Sequence, residues 1–232
     1  VPLMGSIYFG AMLIALTLNL DQVFPAFKLI LVDAFNGTAI AGGTFFGVLI
    51  YGVRRGAFSN EAGMGTESLV HGVAKVSDPV KQGLVAMTGP IFDTLIICTA
   101  TALMILISGV WETSTSQGVT LTAEAFSMLL GNFGGFILFI CVICFGLSTI
   151  FTYSYYGASC SRFLFGKFGM KFYIYLYIFS IFIYSIVPID IAINIADGAF
   201  AMMAIPTLVS ALWLAPKVMQ ASKNYFKLVD NN

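Results

Sequence analysis

The chain has 232 residues, 59% of them hydrophobic and only 9% charged, with 11 basic and 11 acidic side chains. A soluble domain carries ~25% charged residues, so lipid is the solvent for most of this chain. Nothing in the balanced charge suggests a nucleic-acid partner. The opening run lacks a basic leader and a small-residue cleavage site, which excludes a signal peptide. Val1 is not an initiator methionine, so the chain reads as a fragment.

A helix needs ~20 mostly apolar residues to cross a bilayer. Residues 3–20 form the first such span. Residues 22–35 are amphipathic and too short to cross; an interfacial helix and a plain loop both fit them. Residues 45–53 are apolar and short, and they run into residues 52–65 (GVRRGAFSNEAGMG), with 69–76 apolar again. Two arginines, a glutamate and four glycines interrupt membrane sequence there. Charge at bilayer depth costs ~2.5–3.5 kcal/mol per residue on insertion scales, and irregular backbone survives only inside protein or beside water. Residues 45–76 therefore read as one broken span, non-helical from 58 to 65. Glycine permits close backbone approach, and unwound carbonyls and helix-end N–H groups suit a cation and a carboxylate. The break is then a site for a small zwitterion, or else a cytoplasmic loop capped by Ser59 or Asn60. Residues on both sides of Glu61 (Arg54, Arg55, Gly63, Met64) belong to either reading.

Residues 84–110 cross next and carry Asp93 with Thr94, Thr99 and Thr101. A lone carboxylate in a span marks an ion site, or a structural pair with Arg54 or Arg55. Residues 128–156 follow. Their Ser148 and Thr149 offer oxygens to Na⁺, or bond their own helix carbonyls and bend it. The next residues are polar-tipped aromatics, Tyr153, Tyr155 and Tyr156, which close a small pocket or anchor at the interface. Cys141 and Cys144 have the spacing of a redox pair but sit among apolar neighbours and read as buried hydrophobes. Residues 172–187 and 191–214 complete six spans, the last with Asp197 and Gly198. His71, the single histidine, reads as a packing residue or a proton relay.

Six crossings place both ends on one side. Lys75, Lys81, Arg162, Lys167, Lys171, Lys217, Lys223 and Lys227 fall there, against Lys28 on the other. The positive-inside rule makes that side cytoplasmic, with residues 112–125 outside. No nucleophile–base pair, metal cluster or phosphate loop supports chemistry on a substrate, so a membrane enzyme has no support. A channel-like or accessory subunit would need like-charge rings or a pore filter, and neither is seen.

At these residues the chain resembles the alanine or glycine:cation symporter family (sodium:alanine symporters). The G-x-x-R-G-x-F-S-N-E-A-G-x-G pattern runs from Gly52 to Gly65; Q-G-L…F-x-D-T…C matches Gln82, Gly83, Leu84, Phe92, Asp93, Thr94 and Cys98; F-x-x-S-T…Y-Y-G matches Phe145, Ser148, Thr149, Tyr155, Tyr156 and Gly157. The resemblance covers essentially the whole chain and fits the family's C-terminal half. It implies an all-α integral membrane protein with the leucine-transporter fold of two inverted repeats. The chain would hold the last helix of repeat one and all of repeat two, its partner being the missing N-terminal half. It also implies symport of a small neutral amino acid such as alanine or glycine with Na⁺ in the cell membrane, with no cofactor and no other metal. Phe58, Ser59, Asn60, Gly63, Met64 and Tyr153 would line the substrate, and Ser148 and Thr149 would bind sodium. Three positions depart from the family: Tyr153 replaces its usual tryptophan, Thr66-Glu67-Ser68 its Ser-Ala-Pro, and Thr207 the asparagine of its P-N-L.

Overall fold

The computed structural model describes residues 2–35 and 44–230; residues 36–43 lie outside the described residues. Helix α1 (Pro2–Leu18) is followed by α2 (Leu20–Ala34), α3 (Thr44–Ser59) and the short α4 (Thr66–His71). Then α5 (Pro79–Pro90) runs into a π-helix (Ile91–Cys98) and α6 (Thr99–Ser108). A short α7 (Val110–Thr113), the long α8 (Val119–Ile186) and α9 (Ile189–Asp230) complete the chain. Every described element is helical, as backbone polar groups in hydrocarbon require.

Among the described residues, three stretches are long and apolar enough to cross a bilayer: Pro79–Ser108, Val119–Ile186 and Ile189–Val229. Helices α1 and α2 make a fourth if counted together, but they are bent by 100°. Residues 22–35 are thus helical, which removes the plain-loop alternative. The chain is a multi-pass membrane protein, and large apolar side chains such as Phe163, Leu212 and Trp213 stand exposed.

Two expected spans lie within α8. The basic stretch at 157–171, the turn between those two spans, stays helical through Arg162, Lys167 and Lys171 and still reverses the chain. Arginine and lysine are good helix formers, so charge did not end the helix. A single glycine turns it: Gly166 has φ +68°. A Cβ on Gly157 would overlap the ring of Tyr173. Residues sixteen apart lie ~24 Å along a straight helix, so α8 folds back around Gly166. Gly131, with φ +67°, makes a second bend. There a Cβ on Gly135 would stand 2.6 Å from Ser127 Oγ, eight residues back. The last helix also outruns expectation, staying helical some way beyond residue 214.

The residues group into two compact units. The first comprises Val1–Arg55 and Pro90–Thr152, and the second Gly56–Gly89 and Tyr153–Asn232. The first unit has a small core of Ala11, Met12, Ala15, Ala100, Met104, Phe126 and Leu138. Lipid gives helices no hydrophobic drive to associate, so small residues that allow close approach supply the packing. Tyr8 ties this core together. Its ring stacks on Phe126 at 5.6 Å and meets Phe145 edge-on at 5.9 Å. Its hydroxyl lies 3.0 Å from Thr101 Oγ1.

Candidate functional site

The break lies in the second unit, and its geometry explains why α3 ends. Asn60 N–H and Asn60 Nδ2 both donate to the Gly56 carbonyl, at 3.0 and 2.9 Å. Ala62 N–H then reaches back to the Ala57 carbonyl at 3.1 Å, and Glu61 N–H to the Phe58 carbonyl at 3.4 Å. This crossed pair is a Schellman motif, which needs a left-handed residue just past the helix and usually takes glycine. Here that residue is Glu61, at φ +52°, the one non-glycine with positive φ among the described residues. Gly63 and Gly65 follow at +76° and +85°. Three left-handed residues within five positions prevent any helical continuation, and α4 restarts only at Thr66.

The non-helical stretch is residues 60–65, shorter than the 58–65 expected from sequence. Phe58 and Ser59 close α3, because helical hydrogen bonding persists until Glu61 flips. The two glycines differ in their surroundings. A Cβ on Gly63 would meet nothing within 4 Å, whereas one on Gly65 would stand 2.7 Å from Thr207 Oγ1. Met64 and Thr66 between and beyond them are buried.

A left-handed glutamate costs roughly 1–2 kcal/mol against a regular conformation, and strain of this kind concentrates at functional sites. Its carboxylate is held by another helix: the Tyr156 hydroxyl donates to Glu61 Oε2 at 3.1 Å. Tyr156 is itself buried. Rings continue outward from it. Tyr153 meets Tyr156 at 5.5 Å and Phe200 at 6.3 Å, and Phe200 meets Phe58 edge-on at 4.9 Å. Of the residues expected to line a substrate, Phe58 and Tyr153 are thus joined through Phe200, beside a carboxylate fixed by Tyr156. Sequence reasoning missed Phe200 and Thr207 as neighbours of the break. Phe200 carried no signal; Thr207 was visible only as the odd residue between Pro206 and Leu208.

At the far end of α4, Gln82 Nε2 and His71 Nδ1 lie 2.7 Å apart. Both readings of His71 are compatible with this contact.

Ser148, Thr149, Asp93, Arg54 and Arg55 belong to the first unit. Thr149 Oγ1 donates to the Phe145 carbonyl at 2.9 Å, and Thr152 Oγ1 to the Ser148 carbonyl at 2.9 Å. That is the back-bonding alternative for Thr149, though a hydroxyl that donates keeps lone pairs for a cation. Asp93 opens the π-helix, a local geometry frequent at functional sites. Arg55 stacks its guanidinium 5.0 Å over the Tyr51 ring. The four cysteines are free, with Cys141 buried.

Known proteins resemble this chain over its length. The chain is 35% identical over 234 residues to the sodium/alanine symporter AgcS of Methanococcus maripaludis, covering 100% of this chain and 51% of that protein. It is 32% identical over 226 residues to the probable sodium/glutamine symporter GlnT of Bacillus subtilis, covering 97% and 47%. It is 30% identical over 228 residues to the amino-acid carrier protein AlsT of the same organism, covering 98% and 49%. The chain spans about half the length of the curated relatives it matches. The profile of the sodium:alanine symporter family matches residues 1–232, and the chain belongs to that family.

Proposed function

We propose that this chain carries the substrate-contacting half of a sodium-coupled symporter for a small neutral amino acid, and that it catalyses no covalent step. The observation that carries the reading is Glu61. The helix end would be better served by glycine, yet the position holds a strained carboxylate fixed by Tyr156. Family membership supports the same reading, as do relatives named for sodium/alanine and amino-acid transport.

In this reading residues 60–65 present peptide groups and the Asn60 amide to the zwitterion's charged ends. Phe58, Met64 and Tyr153 bound its side chain, with Ser59 at the edge. Ser148 and Thr149 give oxygens to Na⁺, and Asp93 contributes negative charge in its own unit. The fold is the inverted-repeat type, seated in the cell membrane with both ends of this stretch cytoplasmic. Na⁺ and substrate each favour the same state, so binding both shifts the balance of inward- and outward-facing forms. Moving that balance from 1:99 to 99:1 needs ~5.5 kcal/mol of differential binding. Two ligands share that demand.

The test is uptake of labelled alanine into proteoliposomes holding the full gene product. Uptake driven by an inward Na⁺ gradient, competed by glycine and abolished by Asn60→Ala, supports the reading. Uptake indifferent to sodium, or none for any neutral amino acid by a folded protein, overturns it.

A further inference from the structure

A second feature of the second unit has no part in the break. Helices α5 and α9 line an open cavity of about 530 Å³. Pro79, Val80, Gly83, Leu84 and Met87 form one stripe of α5, at the i, i+4 spacing of a single helix face. Val218 and Ala221 of α9 face them, together with two polar residues, Lys217 and Ser222. The cavity lies where both helices leave apolar sequence. Helix α5 begins just after Asp78, and α9 passes from residue 214 through Pro216 into its lysines. Lys81 and Lys223 neighbour lining residues in sequence, so this end is basic. The nearby acid, Asp78, is engaged: its Oδ1 accepts the Val80 N–H at 2.8 Å.

We propose that this cavity is a binding site for an anionic phospholipid. One acyl chain lies along Leu84, Met87 and Val218, and the phosphate sits on Lys217 with the Ser222 hydroxyl donating to it. A hydrocarbon tail alone has no reason to prefer this groove over bulk lipid. The lysine at its mouth supplies the preference, as basic pockets between membrane helices do for charged headgroups. A zwitterionic lipid carries its own ammonium beside the phosphate, so it gains less from Lys217.

The experiment is native mass spectrometry of the full gene product, titrated with phosphatidylglycerol and with phosphatidylcholine of identical chains. Phosphatidylglycerol is expected to be retained about fivefold more, the size of one lysine–anionic-lipid contact. Lys217→Gln should erase that difference while leaving phosphatidylcholine unchanged. Ala221→Phe, which fills the cavity, should release both. Equal retention of the two lipids, or a preference that survives both variants, overturns the proposal. So does a cross-link from Cys at position 221 to another segment of the same protein in lipid, since the groove would then be filled by protein.

Discussion

Replacing Glu61 by glycine separates a cap from a site. Glycine removes left-handed strain of roughly 1–2 kcal/mol and gives back roughly 0.5–1 kcal/mol through greater freedom of the unfolded chain. It also deletes the acceptor of the buried Tyr156 hydroxyl, a loss of about 1.5–3 kcal/mol for a hydrogen bond to a charged group. The single variant is therefore destabilised by about 0–3 kcal/mol. Removing both partners, in Glu61→Gly with Tyr156→Phe, leaves only the strain and entropy contributions. That variant should be as stable as the parent or up to about 1.5 kcal/mol more stable. Fluorescence-detected size-exclusion melting reads the stability, and sodium-driven alanine uptake reads the function. The account expects a well-folded double variant whose uptake falls at least about a hundredfold, a loss of about 2.7 kcal/mol in transition-state terms. Tyr156→Phe alone keeps the carboxylate and should retain part of the activity. Wild-type uptake by the double variant would refute the reasoning and leave Glu61 as a helix cap.

Gly65→Ala should destabilise more than Gly63→Ala, because both incur left-handed strain but only the former drives a Cβ to 2.7 Å from Thr207 Oγ1. Thr207→Ala should recover about 1 kcal/mol of the excess in a double-mutant cycle, and additive effects would deny the contact. Phe200→Ala removes the ring that joins Phe58 to Tyr153. Valine and leucine should then compete for alanine uptake at least about tenfold better, the scale of a methylene-sized pocket change; unchanged selectivity would remove Phe200 from the pocket wall. Thr149→Val keeps shape and loses the hydroxyl, so uptake should need several-fold more sodium at near-normal expression. Unchanged sodium dependence would leave Thr149 with its helix bond to Phe145 alone.

The helical class and the position of the break were legible because both rest on local composition. Glycines and charges in apolar sequence mark a stretch that cannot be plain helix in lipid. Its start was misjudged by two residues because Phe58 and Ser59 still complete helical turns, which residue identity does not reveal. Gly63 and Gly65 look alike in sequence. Only the fold brings Thr207, about 140 residues on, against one of them. The turn at 157–171 was legible from its basic residues, but not that a single glycine, Gly166, makes it within otherwise continuous helix. Phe200 sits in an ordinary apolar run, and nothing local distinguishes a ring that meets Phe58 from one that meets lipid.

The most direct measurement is ligand protection of the break itself. Ala62 is exposed and lies between two left-handed residues. Ala62→Cys, in a background lacking the four native cysteines, can be labelled by a small thiol reagent. With alanine and sodium together, labelling should slow at least about tenfold, and neither alanine with potassium nor sodium alone should match it. The same labelling rate with and without both ligands, in protein that still accumulates alanine, would place the substrate elsewhere and contradict the account.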